Sequence, residues 1–141
     1  MNNGKITFEE KINEDETNIN IFLNGDVIGY VILITHPDIE SLYSEIADTD
    51  SYEMAEDVVF KLSRNKSIIE IADVDVNKNY RNMGVSKMLI EYILENYQNC
   101  QFYLRVFPTG GVDEATFSNM FKRYGFIEID KSENGTFMIK K

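Results

Sequence analysis

The chain has 141 residues, 14 Lys and Arg against 24 Asp and Glu, and a formal charge of −10; one domain is expected at this length, and the acidic balance excludes non-specific DNA or RNA binding, which needs a basic face. One cysteine, Cys100, and one histidine, His36, exclude a disulfide framework, a multi-cysteine zinc site and a histidine-rich metal site, so no metal is expected. No apolar run approaches a membrane span, and the polar start Met1-Asn2-Asn3-Gly4-Lys5 lacks a signal-peptide core, so the expected compartment is the cytoplasm, with no membrane partner.

In chain order, Lys5–Ile12 alternates and reads as a strand. Asn13–Asn18 is a polar turn, and Ile19, Ile21 and Leu23 mark a second strand. Asn24-Gly25-Asp26 signals a hairpin turn, and Val27–Thr35 is a third strand, expected to be buried on both faces and stopped by His36-Pro37. Asp38 can cap a helix whose Ile39, Leu42, Tyr43 and Ile46 form one stripe. Asp50 with Glu53 resembles a capping box for a second helix to about Leu62, with Tyr52, Ala55, Val59 and Leu62 inward. Ser67–Val76 is an Ile- and Val-rich strand, Asn77–Asn79 a loop, and Tyr80 to about Tyr97 the longest helix. Gln101–Phe107 is a strand and Pro108–Gly111 a loop; Asp113 caps a helix that turns Phe117, Met120, Phe121 and Tyr124 inward. A terminal hairpin, Phe126–Asp130 and Thr136–Lys140, turns at Glu133-Asn134-Gly135. Mixed strands and helices with short connections give a single α/β or α+β domain.

The charge is uneven. Residues 1–60 hold two bases against fourteen acids, and residues 61–141 hold twelve bases against ten acids. The second part can host an anionic ligand; the first either attracts cations or simply solvates a surface.

The segment richest in chemistry is Asn77-Lys78-Asn79-Tyr80-Arg81-Asn82-Met83-Gly84-Val85-Ser86-Lys87, where a strand runs straight into a helix. First-turn amides of a helix lack intrahelical partners and the dipole is positive there, so the segment can hold a phosphate. Gly84 lets an anion approach the backbone, and Lys78, Arg81 and Lys87 add charge. The other reading is an ordinary helix start with a glycine for close packing.

Arg81-x-x-Gly84-x-Ser86 resembles the acetyl-CoA loop of the GCN5-related N-acetyltransferase (GNAT) family, Arg/Gln-x-x-Gly-x-Gly/Ala, with Ser86 departing from the third position. Val76 stands at the family's usual spacing from Arg81, and Phe121-Lys122-Arg123-Tyr124-Gly125-Phe126 resembles the end of the family's last helix. The resemblance covers residues 67–141. It implies a GNAT-like mixed, mostly antiparallel, twisted sheet of about seven strands with about four helices. The family usually places two helices after its first strand, whereas here two follow the third. Within the one domain, residues 1–66 would be the acidic acceptor side and 67–141 the acetyl-CoA side.

The resemblance also implies a pose. The pantetheine of acetyl-CoA would pair with the backbone of Val74, Asp75 and Val76. The pyrophosphate would lie on Arg81, Asn82, Met83, Gly84, Val85, Ser86 and Lys87, with Lys87 or Lys122 near the 3′-phosphate. Acetylation of an amine needs a proton acceptor. Glu70 holds the position of the general base in the family's histone-acetyltransferase branch, and burial among isoleucines is expected to raise its pKa. Asp73 and Asp75 compete on the same strand but point to its other face if the strand is regular. Phe121 stands where many members carry a tyrosine acid; Tyr124 is the candidate substitute, and a thiol pKa of about 8.5 makes the thiolate a tolerable leaving group. His36 is a weaker candidate base. The expected activity is acetyl-CoA-dependent N-acetylation of a cationic small-molecule amine or of a protein lysine or N-terminal amine, by a monomer or homodimer. The alternative is an acyl-CoA-binding sensor with little or no turnover.

Overall fold

The computed structural model describes residues 4–81, 83–107 and 114–141. Among these, seven strands and four α-helices follow one another as β1 (Ile6–Asn13), β2 (Glu16–Leu23), β3 (Asp26–His36), α1 (Ile39–Thr49), α2 (Tyr52–Phe60), β4 (Ile68–Val76), α3 (Val85–Asn96), β5 (Gln101–Val106), α4 (Glu114–Lys122), β6 (Ile127–Ser132) and β7 (Gly135–Lys140). The strands form one mixed sheet in the order β1-β2-β3-β4-β5-β7-β6. Two units make up the chain: Met1–Thr35 with Ile71–Gln98, and His36–Glu70 with Asn99–Lys141.

In the first unit, β1, β2 and β3 form an antiparallel meander. β2 begins at Glu16, earlier than the apolar pattern implies, because Asn18 and Asn20 take the outward positions between buried Thr17, Ile19 and Ile21. The turn therefore contracts to Glu14-Asp15. The second turn has positive φ at Asn24 (52°) and Gly25 (89°), the pattern that matches the twist of a hairpin. β3 is continuously buried at Gly29, Val31 and Leu33, the last two at 0–1% exposure, whereas Tyr30, Ile32 and Ile34 between and after them are only half-buried. Phe8 stacks on Tyr92 at 4.2 Å, and Glu10 accepts hydrogen bonds from the hydroxyls of Tyr92 (2.6 Å) and Tyr97 (3.1 Å), tying β1 to α3 and its end.

In the second unit, α1 and α2 cover a core that includes Leu42, Ile46, Val58, Ile68, Tyr103 and Phe137. Asp38 caps α1, its Oδ1 accepting from Ser41 N at 2.9 Å. The cap of α2 is Ser51, whose hydroxyl accepts from Met54 N, and not Asp50. Asp50 instead closes α1 and accepts from the Ser132 hydroxyl at 2.8 Å. That shift turns the helix, so Met54, Ala55 and Val58 face inward while Tyr52 is 70% exposed. Phe121 is buried edge-on against Phe126, 5.2 Å between centroids. The expected loop Pro108–Gly111 and cap Asp113 lie outside the described residues.

The expected helix from Tyr80 begins instead at Val85. Asn77 Oδ1 accepts from Asn79 N and the Asn77 carbonyl from Tyr80 N, closing a one-turn 3-10 helix over Lys78–Tyr80. The chain then extends through Arg81 before α3 starts. Arg81 and Met83 thus precede the helix and are not part of its face.

Candidate active site

β3 ends at His36 because Pro37 has no N–H to continue the ladder. The imidazole is buried, with 5% of the residue exposed. Its Nε2 lies 2.8 Å from Glu70 Oε1 on β4 and 3.7 Å from Glu45 Oε2 on α1. Nδ1 lies 3.5 Å from the Ser41 hydroxyl, one turn before Glu45 on α1. Glu70 is an acceptor when ionised, so the 2.8 Å contact puts a proton on Nε2. Arg105, on β5, has its guanidinium over the Phe137 ring at 4.6 Å, with Nη2 donating to Thr49 Oγ1 at 2.8 Å.

The two carboxyl groups respond oppositely to this setting. Burial pushes the pKa of Glu70 up, but hydrogen bonds from His36 and Glu45 and the charges of His36 and Arg105 outweigh it, so the net shift is downward. The expectation that burial would make Glu70 the more basic group is thereby reversed: its carboxylate is too well solvated by donors. Glu45 is pushed up to about 7, by desolvation first and then by its hydrogen bond to Glu70 and the charge there, with His36 and Arg105 opposing. Near neutrality Glu45 therefore holds or releases a proton.

Donor atoms of His36, Glu45 and Glu70 lie within 4.8 Å of one another, a spacing that would suit one cation or one shared proton. The short His36–Glu70 hydrogen bond and the guanidinium charge acting on both carboxyls favour the proton. Tyr103, two residues before Arg105, is fully buried, and its hydroxyl has no hydrogen-bond partner among the described residues. Burial drives its pKa upward; Arg105 is close enough to oppose that shift but out of hydrogen-bonding geometry. Tyr124 lies just past α4, half-buried, with its N–H bound to the Phe121 carbonyl.

The segment expected to hold an anion is in the first unit. Gly84 caps α3 with φ +80°, a conformation that strains a residue with a Cβ, and no side chain bonds the cap. A Cβ built there would meet nothing within 4 Å among the described residues beyond its chain neighbours and own helix, so the space above the helix start is open on their side. The first helical bond runs from Met88 N to Gly84 O at 3.0 Å. The amides of Val85, Ser86 and Lys87 therefore have no intrahelical acceptor, and the first turn has no acid. Arg81 Nε donates to the Val76 carbonyl at 3.3 Å, and Nη2 lies 3.7 Å from Asp75 Oδ1. Asp75 Oδ1 also accepts from Val76 N at 3.0 Å. Both backbone groups of Val76 are thus engaged, and a pantetheine strand pairing at Val76 would have to exchange with those bonds. Val74 is half-buried, Val76 is buried and Lys87 is exposed; Asn82 lies outside the described residues. Lys122 pairs with Glu128 at 3.6 Å.

The family model for the acetyltransferase (GNAT) family matches residues 3–126. The chain belongs to the GNAT family. It is a GNAT-type N-acetyltransferase, a family whose co-substrate is acyl-CoA. Among solved structures, it is similar to Naa50 of Arabidopsis thaliana bound to the bisubstrate analogue CoA-Ac-MVNAL, with a TM-score of 0.56 and 14% identity over 88% of this chain and 71% of that one. The Escherichia coli ribosomal-protein-S18-alanine N-acetyltransferase gives a TM-score of 0.55 and 13% identity over 92% and 68%. The PaiA N-acetyltransferase of Thermoplasma acidophilum, bound to coenzyme A, gives 0.53 and 17% over 90% and 61%. At these identities the likeness shows the fold. No curated protein matches significantly. Among the described residues, no helix is long and apolar enough to cross a membrane.

Sequence reasoning reached Glu70 and weighed His36 separately, but did not join them, and it missed Glu45, Tyr103 and Arg105. The signals were present but weak. Ser41 and Glu45 are four apart on one helix face, and Arg105 is the only charged residue in Gln101–Val106.

Proposed function

We propose that the protein transfers an acetyl group from acetyl-CoA directly to the amine of a cationic acceptor, with Glu70 accepting the proton that the ammonium must lose. The observation that carries this reading is the position of Glu70: half-buried on β4, six residues before Val76, its carboxylate fixed by His36. Acetyl-CoA supplies the activated thioester. Once its nitrogen is neutral, the amine attacks the carbonyl carbon; the C–N bond forms, the C–S bond breaks, and sulfur leaves with the electron pair. The remaining excess proton on nitrogen passes to that thiolate. Tyr124 is the hydroxyl proposed to assist, because Phe121 has no proton to give.

In this reading Val74, Asp75 and Val76 line the pantetheine, and Arg81 to Lys87 hold the pyrophosphate at the open start of α3. Residues 67–141 form the acetyl-CoA side and residues 1–66 the acceptor side. The acid excess of the first 60 residues selects a cation, either a polyamine-like small molecule or a lysine or N-terminal amine of a protein.

The test is thiol release from acetyl-CoA with a panel of amines. Cationic acceptors should be turned over, with kcat/KM falling as salt rises, since exposed charges are screened over about 8 Å at physiological ionic strength. A preferred anionic acceptor, or indifference to salt, would refute the acceptor assignment. The burial of Phe121 against Phe126 supports a second reading, an acyl-CoA-binding module without turnover. That reading expects acetyl-CoA to raise the melting temperature while no amine releases thiol.

A further inference from the structure

The side chains around Glu70 do more than fix one carboxylate. Glu45 from α1 and His36 from the end of β3 each bring a side-chain atom within 4.8 Å of a Glu70 oxygen; Arg105 stands on β5 with its charge felt by both carboxyls, and Tyr103 on the same strand feels the charge of both. His36 Nε2 is shared unequally, 2.8 Å from Glu70 and 3.7 Å from Glu45. Glu45 is the most accessible of the three, with 35% of its side chain exposed against 15% for Glu70 and 6% for His36. Two carboxyl groups can hydrogen-bond one another only if one of them carries a proton. Solvent reaches Glu45 most easily, so that proton exchanges there.

We infer that Glu45 is a positioning residue that governs how readily Glu70 takes the acceptor's proton. With Glu45 protonated, Glu70 accepts hydrogen bonds from both Glu45 and His36 and is a poor base. When Glu45 loses its proton, Glu70 loses a donor, gains a like charge as neighbour and becomes the better base. The ammonium proton then goes to Glu70, and the proton released earlier from Glu45 has gone to solvent, so charge and protons balance. This rests on the reading of Glu70 as the proton acceptor. Glu45 titrates in the useful range, at about 7.

The experiment compares wild type, Glu45→Gln and Glu70→Gln across about pH 5.5–9, a span that straddles neutrality between the ordinary carboxylate and amine ranges, with acetyl-CoA and spermidine as substrates. Using one acceptor cancels its own titration from the comparison. In Glu45→Gln the introduced side-chain amide can donate to Glu70 at every pH, so it imitates protonated Glu45. Glu45→Gln should match wild type at low pH and lose the rise above neutrality, reaching about tenfold lower kcat/KM at the alkaline end. A purely structural role would lower activity equally at all pH. A Glu45→Gln profile parallel to wild type overturns the inference while a dead Glu70→Gln keeps the proton-acceptor reading. An active Glu70→Gln overturns both.

A second arm needs no acceptor. Titration of the side-chain carboxyl carbons by 13C NMR should place Glu45 near neutrality in wild type. In Glu70→Gln its midpoint should fall by about one unit or more, because the neighbouring charge has gone. A Glu45 midpoint in the ordinary carboxylate range, or one that Glu70→Gln leaves in place, overturns the inference.

Discussion

β4 carries three carboxylates, and its two ends treat them differently. Near its start, Glu70 keeps only 15% of its side chain exposed, with His36 2.8 Å from Oε1 and a Glu45 carboxylate oxygen within 4.8 Å. Near its end, Asp75 is 56% exposed and spends Oδ1 on the N–H of Val76 and on Arg81. Asp73, also exposed, accepts from the Tyr30 hydroxyl at 3.1 Å. One strand and one functional group therefore yield a charged cluster at one end and a scaffold for a loop at the other. What differs is the surroundings: α1 brings a second acid and β3 a histidine to Glu70, whereas Asp75 has its own backbone and one arginine.

The largest expected effect breaks the comparison at its buried end. Glu70→Gln keeps the shape and removes the basicity, so kcat should fall by about 10²–10⁴-fold, with acetyl-CoA affinity unchanged. Asp73→Asn should change kcat by about twofold or less, as an exposed substitution away from the reacting groups. Equal losses from both would mean that the strand's net charge, and not Glu70, matters.

Next in size is the loop that the far end of β4 supports. Gly84→Asp puts a carboxylate into the open space above α3, where phosphate would lie, and should weaken acetyl-CoA binding by about tenfold or more in calorimetry. Among the described residues beyond its chain neighbours and own helix, Gly84→Ala meets no atom within 4 Å, so its cost is the positive φ, about 1–2 kcal/mol of stability. If Gly84→Asp binds as well as Gly84→Ala, the pyrophosphate lies elsewhere.

How much of this was legible beforehand depends on the range of the interaction that decides it. The strands and helices were legible from period, apolar composition or turn residues, and Asp38 from its place before an apolar stripe. Boundaries failed where a local hydrogen bond competed with the pattern. Asn77 folds the chain into a single 3-10 turn and delays α3 from Tyr80 to Val85, and Ser51 wins the cap of α2 from Asp50. The candidate site failed in a more instructive way. Glu70 could be singled out by its place on a strand, but its pKa direction depends on residues far away in sequence: His36 and Glu45 before it, and Arg105 after it. No short-range pattern encodes that meeting.

A smaller effect sharpens the contrast inside the cluster. The folded pKa of Glu45 is raised from 4.5 to about 7. Its contribution to stability is therefore fully present below about pH 4.5 and is lost as pH rises through 7. Glu70, whose pKa is lowered, contributes above the ordinary carboxylate range and loses that contribution as pH falls through its folded value. Melting temperatures measured from about pH 4 to pH 8 should decline on the alkaline side in wild type but not in Glu45→Gln. The difference will be modest, since a third of the Glu45 side chain is exposed. Superimposable curves would mean that Glu45 is an ordinary surface acid.

The smallest expected effect concerns a hydroxyl beside these charges. Tyr103 is completely buried within the core under α1 and α2, and its oxygen is unbonded among the described residues. An unsatisfied buried polar atom costs about 1–3 kcal/mol, whereas an apolar group of the same shape costs nothing comparable. Tyr103→Phe retains the ring's packing against Phe137, 6.2 Å between centroids, and removes only the oxygen. Stability should rise by about 1 kcal/mol, which for a chain of this size raises the melting temperature by about 2–4 °C, while kcat stays level. A fall in stability would show that the hydroxyl is bonded in solution, to water or to Arg105. Unchanged stability with a fall in kcat would show that the oxygen is kept for the reaction, joining Tyr103 to the charged cluster instead of to the apolar core.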